Sequence, residues 1–329
     1  MKLLITGDWH IKETYRGREG RLKDFELLRD FLLDVIKTEK PDLMIHLGDV
    51  FHTLSPFIRK DVINFGVELF NNLAEHVRIY VLTGNHDKFR GKCYLDFLQS
   101  KNVTVVSSPV TMSSHNVRMG FIPHGEEEII PALAPDVDIL FLHADVFGAR
   151  LSTGKMMEEG VSDITSVRFV FNGHIHLPQK VGNIICVGSP LQQDFSESRQ
   201  EKRVMIWKDS EIINIDTSHL PQFRVYEFNK KTQFKKFVKT HKENSDNRDY
   251  ILVRIPHTFD ASLLEGEERV FIEYIHERKE RKQDEEKPSL TVEEAMDKWI
   301  EAQEVSEEDK SELKKLARRV WVECLKSRE

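Results

Sequence analysis

The chain has 329 residues, 40% of them hydrophobic and 31% charged, and a formal net charge of -7. This is the composition of a globular protein with a real core, and its acidic balance means that any nucleic-acid contact must come from local basic patches. No apolar run approaches a membrane span, Gly7 and Asp8 interrupt the N-terminal apolar stretch too early for a signal peptide, and Cys93, Cys186 and Cys324 are scattered; a cytoplasmic protein with no membrane partner and no disulfide framework is expected.

In chain order, Lys2–Thr6 reads as a strand buried on both faces, because Leu3, Leu4 and Ile5 are consecutive apolar residues. It stops at Gly7, after which Asp8 and His10, two apart in a still-extended chain, are expected to point the same way. Leu22, Phe25, Leu28, Phe31, Leu32, Val35 and Ile36 recur at helical spacing, as do Val62, Phe65, Leu69 and Leu73, between further strands at Leu43–Leu47 and Ile79–Leu82. The βαβαβ order predicts parallel strands covered by helices. Strands then crowd together at Val103–Val106, Val117–Ile122, Ile139–Leu142, Phe169–Phe171, Ile184–Val187, Val204–Trp207 and Ile212–Ile215. They predict a second sheet packed on the first, a layered α/β sandwich.

After Pro221 the pattern changes to a small α+β segment, with strands at Phe223–Phe228, Tyr250–Ile255 and Val270–Ile275 and a Lys-rich helix around Phe234–Val238. Residues 277–288 are almost wholly charged and read as a solvated linker or a floating helix. Beyond it, Thr291 and Glu294 have capping-box spacing, followed by Val292, Met296, Trp299 and Ile300 on one helical face. A second helix begins at a Ser306 cap and carries Leu313, Leu316, Val320 and Trp321 in a stripe. Two such short helices make little core by themselves, so a partner is expected.

Polar residues gather where strands end. "LMIHLGDVFH" delivers Asp49 and His52, "IYVLTGNHDKF" delivers Asn85, His86 and Asp87, "ILFLHADV" delivers His143, and "FVFNGHIHL" delivers His174 and His176. Strand carboxyl ends form the binding crevice of an open α/β sheet, so these segments can converge with Asp8 and His10. Carboxylate, imidazole and amide oxygens suit Mn²⁺, Fe²⁺ or Zn²⁺, and Asp49, one glycine beyond its strand, is placed to bridge two ions.

The order of these motifs resembles the calcineurin-like metallophosphoesterase superfamily over roughly residues 1–190. Within it, "GDVFH", "VGSPLQQDFSE", the small α+β segment and the C-terminal helix pair resemble the SbcD-type nuclease subunits of double-strand-break repair, and most closely the small recombination-endonuclease subunits of T-even-type bacteriophages. The resemblance implies a four-layer sandwich, two mixed sheets flanked by helices. It divides the chain into a phosphoesterase domain (1–220), an α+β cap or DNA-binding domain (221–276), a linker (277–288) and a helical docking hairpin (289–329). It implies two divalent metal ions, Mn²⁺ first with Mg²⁺, Fe²⁺ or Zn²⁺ as alternatives. Asp8, His10, Asp49 and His176 would hold one ion, and Asp49, Asn85, His143 and His174 the other.

In the same way, His86 would protonate the leaving oxygen or stabilise the transition state with Asp87 orienting it, His52 would position substrate, and a hydroxide bridging the metals would attack phosphorus. Implied partners are DNA, a second copy of the chain, and an SMC-like coiled-coil ATPase docked on the C-terminal helices. Arg16, Arg18, Arg21, Arg59, Lys60, Lys88 and Arg90, near the metal motifs, are candidate contacts to the DNA backbone. The expected activity is exonucleolytic on duplex ends and endonucleolytic on single strands. A stand-alone metallophosphatase or small-molecule diesterase and a non-catalytic scaffold are the alternatives. His46, His76, His115, His124, His219, His241, His257 and His276 lack a matching motif and are expected to be core or surface residues.

Overall fold

The computed structural model describes residues 1–53, 57–243, 248–264, 266–275, 291–302 and 305–326. The predicted linker, 277–288, lies outside them. Among the described residues, Met1–Ile275 clusters as one compact unit, and the C-terminal helices belong to a second.

The first unit runs β1 (Lys2–Thr6), α1 (Leu22–Glu39), β2 (Leu43–His46), α2 (Lys60–Ala74), β3 (Arg78–Leu82), a small hairpin of β4 (Lys88–Phe89) and β5 (Lys92–Cys93), then β6 (Val103–Val106). It continues through β7 (Val110–Ser114), β8 (Val117–Ile122), α3 (Ile130–Leu133), β9 (Ile139–Leu142), β10 (Phe169–Asn172), β11 (Gln179–Val181), β12 (Ile184–Cys186), β13 (Arg203–Lys208) and β14 (Glu211–Asp216). It ends with β15 (Phe223–Glu227), α4 (Lys231–Glu243), β16 (Tyr250–Pro256) and β17 (Val270–Ile275).

Two six-stranded sheets result, ordered β14-β13-β1-β2-β3-β6 and β11-β12-β10-β9-β8-β7. β1, β2, β3 and β6 are parallel, as are β8, β9, β10 and β12, while the remaining strands of each sheet pair antiparallel. The consecutive apolar residues are explained by burial on both faces. In the first sheet Leu4, Met44, Ile79, Val81 and Val103 pack against the α1 and α2 stripes, whereas Leu3, Ile5, Leu43, Ile45, Leu82 and Val106 meet Phe121, Phe141 and Phe171 of the second. This is the predicted four-layer sandwich. Its fourth layer is thin: besides α3, the outer face of the second sheet is covered by Val146, Ala149, Ile164 and Val167 from the irregular segment between β9 and β10.

β7 and β11 were not predicted, because "VTMSS" and "QKV" are short, polar edge segments without a buried run. The three-stranded sheet, β15-β16-β17, is wholly parallel and has its own small core with Phe234 and Val238 of α4.

Register places the site. Thr6 pairs with His46 and His46 with Val81, while Leu142 pairs with Ile122 and with Asn172. The parallel strands of each sheet therefore end level, and the loops that follow them share one edge.

In the second unit, α5 (Val292–Glu301) starts with the predicted capping box, Thr291 N–H donating to Glu294 Oε2 (2.7 Å) and Glu294 N–H to Thr291 Oγ1 (3.2 Å). α6 (Glu307–Lys326) follows, with Asp309 N–H donating to Ser306 Oγ (3.1 Å), and Arg318–Asp297 (2.7 Å) and Lys314–Glu301 ion pairs link the two helices. Trp299, Leu313, Leu316 and Val320 are exposed, and Met296 and Trp321 partly so. Ile300 is buried, which removes it from the expected partner-facing stripe; the side chain of Val292 lies outside the described residues.

Candidate metal centre

The level strand ends bring eight sequence-predicted residues together: Asp8, His10, Asp49, Asn85, His86, His143, His174 and His176. Ligand-type atoms of Asp8, His10 and His176 lie within 4.8 Å of one another, as do those of Asp49, His143 and His174 and those of His10, Asp49 and His86. Asp49 is the hinge of the arrangement, its Oδ2 3.4 Å from His10 Nε2 and its Oδ1 3.4 Å from His143 Nε2. Asn85 Oδ1 stands 3.0 Å from both His143 Nε2 and His174 Nδ1.

The turn after β1 is not the extended chain expected. Asp8 and His10 have φ of 52° and 49°, and Asp49 and His174 likewise sit at 56° and 70°. The left-handed region costs non-glycine residues of order 1–3 kcal/mol each, though Asp and His tolerate it best, and it is left-handed turning that aims these side chains inward. Close approach of the loops requires Gly84, whose added Cβ would strike the Asp49 carboxylate, with Asp49 N at 2.6 Å and His143 Cε1 at 2.7 Å.

Second contacts fix each ring. His143 Nδ1 faces Leu47 O (2.7 Å), leaving Nε2 for the site. His174 Nε2 faces Asp145 Oδ1 (2.8 Å), and His176 Nδ1 faces Glu197 Oε1 (3.0 Å). Glu197 is buried and also takes Lys202 Nζ (2.8 Å) and Gln193 N–H (2.8 Å). Burial opposes its ionisation, but the His176 and Lys202 contacts outweigh that and bring the carboxyl down to about 2. Burial would likewise raise Asp49, yet the surrounding His143, His10 and His86 hold it well below its ordinary value. Burial holds His10 well below its ordinary value, whereas His143, next to Asp49, is raised against burial to about 9.

Two features fit a cation. Asp8 Oδ2 is buried without a hydrogen-bond partner, an arrangement that costs free energy unless a positive charge meets it. His10 Nε2 and His176 Nε2 approach to 2.9 Å, as two lone pairs do around one shared acceptor of electrons. The donor set of carboxylate, imidazole and amide oxygen matches Mn²⁺, Fe²⁺ or Zn²⁺.

Several expectations are corrected. Asp87 does not orient His86: its oxygens take the N–H groups of Asp49 (2.7 Å), Gly84 (2.9 Å) and Val50 (3.0 Å), while His86 Nδ1 faces His52 O (2.8 Å). Asp87 therefore shapes the loops, and burial together with the Asp49 charge pushes its carboxyl up to about 7. The His52 ring lies along that of His86, centroids 5.9 Å apart.

Arg21 cannot touch DNA, being fully buried with Nη1 on Asp24 Oδ2 (2.8 Å) and Nη2 on Gln192 O (2.6 Å). Arg18 is spent on the carbonyls of Glu267 (2.7 Å) and Val270 (2.5 Å), Arg59 pairs with Glu13 (2.8 Å), and Lys88 donates to His124 O. Lys60 and Arg90 are exposed, and Arg16 lines a groove beside His10. His124 was misjudged: its ring centroid is 6.0 Å from that of His143 and 5.9 Å from that of His174. It follows β8 at the same strand edge, the signal that could have flagged it. Asp145, Glu197 and Lys202 were missed, although Glu197 closes the "DFSE" run.

The family model for calcineurin-like phosphoesterases matches residues 1–178. Among solved structures, the chain is similar to an archaeal phosphodiesterase, with 15% identity over 66% of this chain and 99% of that one and a TM-score of 0.36. It is also similar to YfcE, a phosphoesterase from E. coli, with 16% identity over 68% of this chain and 96% of that one and a TM-score of 0.36.

Proposed function

We propose a function from one premise: the chain belongs to the calcineurin-like phosphoesterase family, whose model spans more than half of its length. Our reading is a Mn²⁺-dependent DNA nuclease, exonucleolytic on duplex ends and endonucleolytic on single strands, acting in a repair or recombination complex. The observation that carries it is the donor cluster hinged on Asp49, opening at His10 and His176 into a groove of about 1170 Å³. That volume exceeds the roughly 300–1,000 Å³ of small-molecule pockets and suits a polymer.

Asp8, His10, Asp49 and His176 would hold one ion, and Asp49, Asn85, His143 and His174 the second. When bound, such ions activate water and neutralise charge developing on the phosphoryl group. The protein's part is positional: Glu197 and Leu47 O fix the tautomers of His176 and His143, and Asp87 fixes the backbone from which Asp49 and Asn85 project. With Nδ1–H donated to His52 O, proton donation to the leaving oxygen falls to Nε2 of His86 and requires the imidazolium, in which both ring nitrogens carry a proton. The reading includes a homodimer, an α+β cap from residue 221 to 276, and docking of an SMC-like ATPase on Met296, Trp299, Leu313, Leu316, Val320 and Trp321.

Rates on linear DNA and on a nucleotide monoester, measured side by side with Mn²⁺, test it. Preference for DNA is expected; preference for the monoester would replace the nuclease by a phosphatase.

A further inference from the structure

The groove beside the metal centre has an uneven charge pattern. Its acids are used internally: Asp194 accepts from Ser196 N–H (2.7 Å) and Oγ–H (2.6 Å), Glu197 holds His176 and Lys202, and Glu273 pairs with Arg254 (3.0 Å). Its cations are not all used. Lys12, two residues beyond His10 and partly buried, lies over the Tyr15 ring at 5.8 Å and takes neither hydrogen bond nor ion pair among the described residues. Among the described residues, Arg16, 5.2 Å from the Phe195 ring centroid and hydrogen-bonded to the Tyr15 side chain, has no carboxylate partner, and exposed Arg199 has none on the same wall.

The presentation of Arg16 is built in. Tyr15 and Arg18 exchange N–H···O bonds of 2.9 and 3.0 Å, and Arg16 and Gly17 between them have φ of 48° and 76°, the signature of a type I′ turn. Arginine is ill suited to the left-handed position, and strain of this kind persists where a side chain must be held in place. The backbone leading into Lys12 is anchored as well, because Ile11 bridges to Phe51.

We propose that Lys12, Arg16 and Arg199 form a phosphate track that receives the single DNA strand flanking the scissile phosphodiester, running from His10 and His176 toward the face of the three-stranded sheet at Val225 and Leu252. The track rests on the nuclease reading above. It reassigns substrate contact from most of the scattered basic residues predicted from sequence to three that share one groove with the metal centre.

The test measures binding of a fluorescein-labelled oligothymidylate by anisotropy in EDTA over a salt series, and Mn²⁺-dependent hydrolysis of the oligonucleotide and of bis(p-nitrophenyl) phosphate. Lys12→Met and Arg199→Ala should each weaken oligonucleotide binding about five- to tenfold and lower the salt slope by about 0.7. The ratio of kcat/KM on the oligonucleotide to that on the small diester should fall similarly, and Lys12→Arg should restore it. Lys37→Ala, an exposed lysine of α1 outside the groove, is the control for nonspecific charge loss. Wild-type protein that binds and cuts the oligonucleotide, with both variants unchanged in affinity and salt slope, overturns the track alone. Wild-type protein that hydrolyses the small diester but neither binds nor cuts the oligonucleotide overturns the nuclease reading and the track together.

Discussion

Replacing Asp24 by Asn should test how the three-stranded sheet is mounted on the sandwich. Asp24 is fully buried and accepts from Arg21 Nη1 (2.8 Å), Arg269 Nη1 (2.7 Å) and Tyr250 Oη (3.0 Å). Arg21 is itself fully buried, and Arg269 stacks over Tyr250 at 4.5 Å. The amide keeps the shape but leaves two guanidinium groups without their carboxylate, and breaking a buried pair from one side costs about 3–5 kcal/mol. At about 2–4 °C per kcal/mol for a unit of this size, Tm should fall by about 6–20 °C. Equilibrium urea unfolding followed by circular dichroism gives the free energy directly. Arg21→Met supplies the other arm of a double-mutant cycle, and the double variant should be less destabilised than the sum of the singles by at least about 1 kcal/mol. A loss below about 1 kcal/mol in Asp24→Asn, or strict additivity, would refute the reasoning.

Three further outcomes are expected. Gly84→Ala, forced against Asp49 and the His143 ring, should weaken Mn²⁺ binding by about 5- to 150-fold by calorimetry, an overpacking cost of about 1–3 kcal/mol delivered at the site. Glu197→Gln removes the carboxylate partner of both His176 and buried Lys202, and second contacts of this type are worth about 10–100-fold in metal affinity, read by the same titration. Deleting residues 289–329 should abolish co-purification with an SMC-like ATPase while metal-dependent hydrolysis of a small diester persists; undiminished co-purification would remove the docking assignment.

The candidate metal centre was legible because its residues sit one to four positions beyond apolar strands, and parallel strands of like register must end at one edge. The central strands of both sheets could be read for the same reason, each carrying a run buried on two faces, which the polar edge strands β7 and β11 lack. Arg21 shows where such reading stops, since a basic run looks the same whether its arginines face solvent or, as here, one of them fills a buried pair with Asp24. Glu197 and Lys202 meet His176 from the irregular stretch between β12 and β13, where no periodicity places a side chain. The left-handed turns at Asp8 and His10 were likewise invisible, because Asp and His tolerate that conformation without a glycine to announce it.

The central claim is most directly tested by degradation of an end-labelled linear duplex by the isolated protein with Mn²⁺, with EDTA, and in the His86→Ala variant. The account predicts Mn²⁺-dependent cutting that EDTA abolishes and that His86→Ala slows by about 10²–10⁴-fold, the usual contribution of a positioned proton donor. Cutting that persists undiminished in His86→Ala, or hydrolysis of a small diester with no cutting of DNA, would contradict it.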